Sequence, residues 1–206
     1  MFKKVFLVLA LCRLAAPVFA AVGCDLNDPD RDVARLFPGN TGYKTRYLSL
    51  KTLGGQPLLD RVEKRLGDGF HGLYETIEVP YTLYDIYRGT QTIGYIHGVN
   101  QKGEYGGIQV FLALDAARAI KAFYIQKLTS RAAKDLRSKE FGAQFEGLAL
   151  KDFEGYDPVA AKAPAASPAA RIKAPAKAGQ DFNSVMRAVK KNLILMDEFV
   201  PAKKEK

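Results

Sequence analysis

Cysteine is nearly missing from this 206-residue chain: only Cys12 and Cys24 occur. Cys12 falls in the leader described below, so a mature chain keeps one thiol and forms no intrachain disulfide. Its stability has to come from a packed core, which about 180 residues can supply in one domain. Histidine is as scarce. His71 and His97 stand alone in the sequence without a neighbouring second metal ligand, so no zinc or haem centre is expected and both are given structural or exposed places. The chain also lacks a Cys-x-x-Cys-His haem attachment, a Gly-x-Ser-x-Gly elbow and a P-loop. Hydrolytic and nucleotide-driven enzymes therefore have no visible site, and no catalytic residue is assigned.

A concentrated basic stripe is missing too, although the formal net charge is +9. The first 23 residues carry +3, residues 156–178 carry +3 and the stretch from 201 onward carries +2, leaving +1 for residues 24–155. There the two signs are interspersed, which removes the main support for nucleic-acid binding.

What is present at the amino terminus is a leader. Lys3 and Lys4 precede the apolar run from Val5 to Cys12, and small residues follow, the order of a secretory signal over residues 1–23. Arg13 makes this run too short for a membrane anchor, which needs ~20 apolar residues. Two exits are open. Val18-Phe19-Ala20 fits a general signal peptidase, while Ala21-Val22-Gly23-Cys24 resembles a lipobox, which makes Cys24 the expected lipidation site. The chain is accordingly expected to be exported, in the periplasm or on the outer face of a bacterial membrane, and anchored to that membrane through Cys24. Asp25 to Asp30 reads as a polar spacer behind the lipid.

The body is expected over residues 24–155. Pro57 opens a helix with Leu58, Leu59, Val62 and Leu66 as its apolar stripe and Gly67 as its stop. Short β-rich runs follow at Leu73 to Val79, Tyr81 to Tyr87, Thr92 to His97, Ile108 to Leu114 and Ile120 to Gln126. The connections are too short for parallel crossovers, so the runs predict an antiparallel meander. Ser130 is placed to cap a helix carrying Ala133, Leu136 and Phe141 inward. Residues 156–178, rich in Ala, Pro and Lys, read as a flexible linker or excursion. Asp181 then caps a last helix over 179–200, with Val185, Met186, Val189, Leu193 and Met196 on its buried face, and residues 201–206 form a basic tail. The fold class is α+β: a twisted antiparallel sheet packed by several helices.

One stretch is denser in signal. Gly94-Tyr95-Ile96-His97-Gly98 is followed by Gly103-Glu104-Tyr105-Gly106-Gly107-Ile108, where the glycines permit close approach of a ligand and Tyr95 and Tyr105 offer flat faces. From spacing alone the same residues describe a glycine-rich hairpin with tyrosines at its edge. In its succession through Val110 to Asp115, the return strand Ile120 to Gln126 and Phe141 to Gly147, the chain resembles the FMN-binding domain of extracytoplasmic electron-transfer flavoprotein subunits. These belong to the sodium-pumping NADH:quinone reductase and the Rnf complex, and the resemblance spans roughly residues 73 to 196.

The resemblance implies an FMN-binding-domain-like fold and a role in envelope electron transfer, as a carrier or accessory rather than a stand-alone enzyme, with a membrane redox complex as partner. It departs where that family does its chemistry. The family's Glu-Thr-Pro-Gly-Leu-Gly corresponds to Leu128-Thr129-Ser130-Arg131-Ala132-Ala133, and the flavinylated threonine of Ser-Gly-Ala-Thr-x-Thr-Ser corresponds to Asp181. Aspartate has no hydroxyl for the phosphoester, so covalent flavin is not expected. What the resemblance leaves is non-covalent FMN lined by Tyr105, Gly106, Gly107, Thr129, Ser130 and Arg131, with Arg131 at the phosphate. The alternative is a flavin-domain fold that has lost its cofactor and serves as an interaction module.

Overall fold

The computed structural model describes residues 23–200. The leader up to Val22 and the basic tail 201–206 lie outside the described residues.

Five strands form one antiparallel sheet in sequence order: β1 (Gly42–Leu48), β2 (Tyr81–Arg88), β3 (Gln91–Lys102), β4 (Gly107–Asp115) and β5 (Ile120–Lys127). The connections are tight, as the meander requires. Gly89 turns β2 into β3 at φ 57, and Asp115 Oδ1 accepts the Ala119 amide at 2.9 Å to close the β4–β5 turn. β1 goes beyond the sequence expectation. Its Tyr43, Thr45 and Tyr47 alternate with cations and present little aliphatic surface, so an edge strand there leaves a weak pattern. Leu73 to Val79, expected as a strand, instead closes two local turns through Glu75 N to Gly72 O and Val79 N to Thr76 O. Glu75 points inward to the buried Arg187 and Lys191.

The two sheet faces bury different layers. On the first, Leu83, Val99, Val110, Leu112 and Leu114 meet the helix over Gly179–Phe199, whose Val185, Met186, Val189, Leu193 and Met196 are all buried. Each such side chain contributes on the order of 2 kcal/mol, enough to carry the polar groups this helix also buries. On the second, Tyr84, Ile86, Ile96, Phe111 and Ala113 are covered by Cys24, Leu26 and helix α1 (Pro29–Leu36), where Asp28 Oδ1 caps the Arg31 amide at 3.1 Å. Asp25 to Asp30 is thus part of this layer and not a free spacer. Gly94 and Gly98 make room for it: a Cβ at Gly94 would meet the Phe37 ring at 2.4 Å, and one at Gly98 would meet the Phe111 ring at 2.4 Å.

The remaining helices are α2 (Leu50–Leu53), α3 (Gly55–Leu66), α4 (Ala133–Leu136), α5 (Lys139–Ala143), α6 (Leu150–Phe153) and α7 (Gly179–Phe199). α3 ends at Gly67 in the left-handed conformation, φ 79, as its position implies. The single helix expected after Ser130 is two short ones. Ser130 Oγ accepts from Ala132 N and shapes the turn before α4, while Ser138 Oγ caps α5 through Phe141 N at 3.1 Å.

Residues 156–178 make an excursion tied to the body. Asp157 and Lys162 exchange backbone hydrogen bonds at 2.7 and 3.0 Å, Ser167 Oγ donates to Asp152 O at 2.6 Å, and Ala169, Ile172 and Ala178 are buried in the main core. Small side chains suffice because the segment lies over a surface already built by α5, α6 and α7.

Candidate functional site

The six residues singled out for a flavin come from two places, the β3–β4 turn and the chain after β5, and the fold brings them together at one end of the sheet. The Arg131 guanidinium lies over the Tyr105 ring, 5.4 Å from its centroid. Tyr105 stays exposed, whereas Tyr95 packs against the main core.

Two glycines of this turn, Gly103 and Gly107, are packed by the chain's own side chains, while Gly106 is exposed. A Cβ on Gly107 would stand 2.7 Å from Tyr74 Oη, one on Gly103 would stand 2.7 Å from Asp181 Oδ1, and one on Gly106 would rest on Thr129 at 3.7 Å. At Gly103 and Gly107 the backbone is therefore already packed by Asp181 and Tyr74, while Gly106 has room for a methyl group. Asp181 also differs from its expected role as a cap. α7 begins at Gly179, so Asp181 is its third residue, and its buried Oδ1 accepts the Glu104 amide at 2.8 Å. It holds the hairpin turn to the helix. Tyr105, Gly106, Thr129 and Arg131 lie exposed at this end of the sheet.

The larger opening lies beside them. A cleft of about 550 Å³ runs along the first turns of α7, bounded by Tyr74, Lys102, Asn183 and Ser184, with the excursion at Pro158 and Val159 as its far wall. Its floor is a buried ionic network. Arg187 donates to Asp68 at 2.7 Å, to Glu75 at 2.6 Å and to Gln101 at 2.7 Å; Lys191, fully buried, donates to Glu75 and to Asn100 O. Two cations face two carboxylates, so the cluster balances its own charge. Burial alone would raise the Glu75 carboxyl, but the Lys191 cation and the Arg187 guanidinium outweigh it and hold the group down at about 2. Burial pushes Lys191 down to about 8 against the pull of Glu75. At neutral pH the pair is ionised. The sequence carries one clue to this network: Arg187 and Lys191, four residues apart, interrupt the apolar face of α7, and buried cations require acidic partners. Where those partners come from, some 112 to 119 residues away, nothing local announces.

The two histidines separate. His71 stands at the cleft rim, 3.8 Å from Asp68. His97 is wholly buried between sheet and α7, where Asn192 Nδ2 donates to the His97 carbonyl at 2.9 Å while Asn192 Oδ1 sits 2.9 Å from His97 Nδ1. That pairing fixes the proton on Nδ1 and leaves Nε2 without a partner among the described residues, in an aromatic cluster with Tyr81 and Phe199. Burial pushes its pKa down to about 4. Among the described residues no group of three or more His, Cys, Asp or Glu is placed to hold a metal ion, and no helix is long and apolar enough to cross a membrane.

Cys24, expected as the lipid acceptor, is 1% exposed and makes a parallel bridge with Tyr81. Burial raises its thiol pKa far above the ordinary value. Comparison with protein-family models, with curated proteins and with solved structures returned no match for this chain.

Proposed function

We propose that the chain is an exported, FMN-binding-domain-like module that works without flavin at its glycine turn, as an accessory or interaction component of a redox assembly at the cell envelope. The observation that supports this reading is the packing of the turn: Tyr74 and Asp181 take the space over Gly107 and Gly103. Asp181, where the resembling family carries its flavinylated threonine, is committed to the Glu104 amide and offers no hydroxyl. The charges on the cleft floor, Arg187 and Lys191 with Asp68 and Glu75, are paired with one another.

A second reading has one observation in its favour. The cleft lies at the start of α7, where the resemblance puts the flavin phosphate, and about 550 Å³ is within the range of small-molecule sites. Non-covalent FMN would then lie in the cleft rather than on the turn.

The test is the absorption spectrum of the protein purified under mild conditions from the envelope of its own host. Colourless protein, with no flavin fluorescence after denaturation, is expected. A yellow preparation with one flavin per chain would overturn the proposal, and flavin released on denaturation would favour the cleft.

A further inference from the structure

The geometry points to Cys24 as a core residue of the mature protein, left unacylated because the leader is cut upstream, between Ala20 and Ala21. The inference rests on the export reading and removes the lipid anchor from it.

Acylation at Cys24 would require Sγ to carry a diacylglycerol and the chain to begin at that residue. Sγ instead faces the sheet: it lies 2.8 Å from where a Cβ on Gly98 would stand, in the layer formed by Leu26, Tyr84 and Phe111. Glycine at position 98 is what gives the sulfur and the Phe111 ring their room. Two acyl chains on this atom would have to leave the core through the segment that covers it, and that segment is held along its length. Asn100 Nδ2 donates to Gly23 O at 3.0 Å, Tyr84 Oη accepts the Leu26 amide at 3.1 Å, and Gln126 accepts the Asn27 amide at Oε1 and donates from Nε2 to Asp25 O, both at 2.9 Å. Thr82 Oγ1 donates to Asp25 Oδ1. A cut before Cys24 would remove Gly23 and its bond to Asn100, and lifting Cys24 and Leu26 would strip the second face of the sheet. A lipid tether also needs slack between anchor and body, and here helix α1 starts at Pro29 with no free stretch before it.

The alternative exit meets none of these obstacles. Val18-Phe19-Ala20 presents small side chains at the first and third positions before the cut, which a general signal peptidase reads. Water hydrolyses the Ala20–Ala21 amide, leaving a carboxylate on Ala20 and an ammonium on Ala21. The mature chain then keeps Gly23 and its hydrogen bond. Burial suits the compartment as well, since an exposed lone thiol in an oxidising space is open to oxidation and mixed disulfides, and a buried, protonated one is inert.

The experiment is the intact mass of the full chain expressed behind its own leader in a bacterial envelope, with two variants. The expected mass is that of residues 21–206 with no adduct. One thiol per chain should react with maleimide only after denaturation, and the protein should remain in the aqueous phase on detergent partitioning. Cys24→Ala should be cut at the same bond, while Ala20→Asp should accumulate as precursor. A chain starting at Cys24 with diacyl and amide-linked acyl mass, or a Cys24→Ala chain that stays uncut, would overturn the proposal and leave export standing. Uncut wild-type chain of full length would overturn export and this proposal together.

Discussion

Asp181 Oδ1 accepts the Glu104 amide at 2.8 Å, which fastens the third residue of α7 to the β3–β4 turn across 77 residues of sequence. Gly103 N donating to Gly106 O at 2.7 Å closes the turn itself. The carboxylate therefore stands where an anionic ligand at the helix start would have to compete with it.

Replacing it should loosen both elements. Asp181→Ala leaves the Glu104 amide without its buried partner and is expected to cost about 1–3 kcal/mol of unfolding free energy, with faster amide exchange at Glu104. Urea unfolding and exchange at that residue check it. An unchanged stability would mean that the turn is held by other contacts.

Glycine substitutions separate packing from ligand binding. Gly94→Ala drives a methyl group into the Phe37 ring and the Leu114 carbonyl, both at 2.4 Å, and should destabilise the protein by at least ~1–3 kcal/mol. Gly106→Ala meets only Thr129 at 3.7 Å and should be nearly neutral in thermal unfolding.

The cleft floor gives an asymmetric pair. Glu75→Gln leaves Lys191 and Arg187 charged in the interior with one carboxylate fewer, and should cost roughly 3–5 kcal/mol. Lys191→Met removes a buried cation while Glu75 keeps Arg187, so its cost in denaturant unfolding should be clearly smaller. Equal losses would contradict this division of roles.

Acid should weaken the fold in two overlapping stages. His97 titrates near 4 in the fold against an ordinary 6.5, so its neutral form is favoured there; its stability contribution is full above pH 6.5 and declines, by about 3 kcal/mol in all, as pH falls to 4. Protonation would create an Nε2–H facing Phe199 and Tyr81 with nothing to accept it. Glu75, held near 2 against 4.5, adds a loss of similar size between pH 4.5 and 2. Melting temperatures across pH 2 to 8 measure both, and His97→Phe should flatten the upper stage alone.

Four strands, α3 with its Gly67 stop, and the buried face of α7 follow from local patterns of two and 3.6 residues. The features that define the site do not. Glu75 sits in a run with the composition of a strand, yet long-range cations draw it into a turn. Asp181 has the look of a helix cap and serves another element. Cys24 follows a lipobox-like sequence, and only the glycine at 98, on a strand 74 residues later, reveals that its sulfur has a place in the core. In each case the deciding partner is remote, and periodicity carries no trace of it. The glycine turn was legible as a hairpin from its spacing; what packs on Gly107 and Gly103 was not, because Tyr74 and Asp181 arrive from two separate segments.

The most direct measurement of the central claim is a titration of FMN fluorescence with the purified full chain, run beside thermal unfolding in excess FMN. The account predicts no saturable quenching and no rise in melting temperature. Saturable quenching at one FMN per chain, lost in Gly106→Ala, would contradict it.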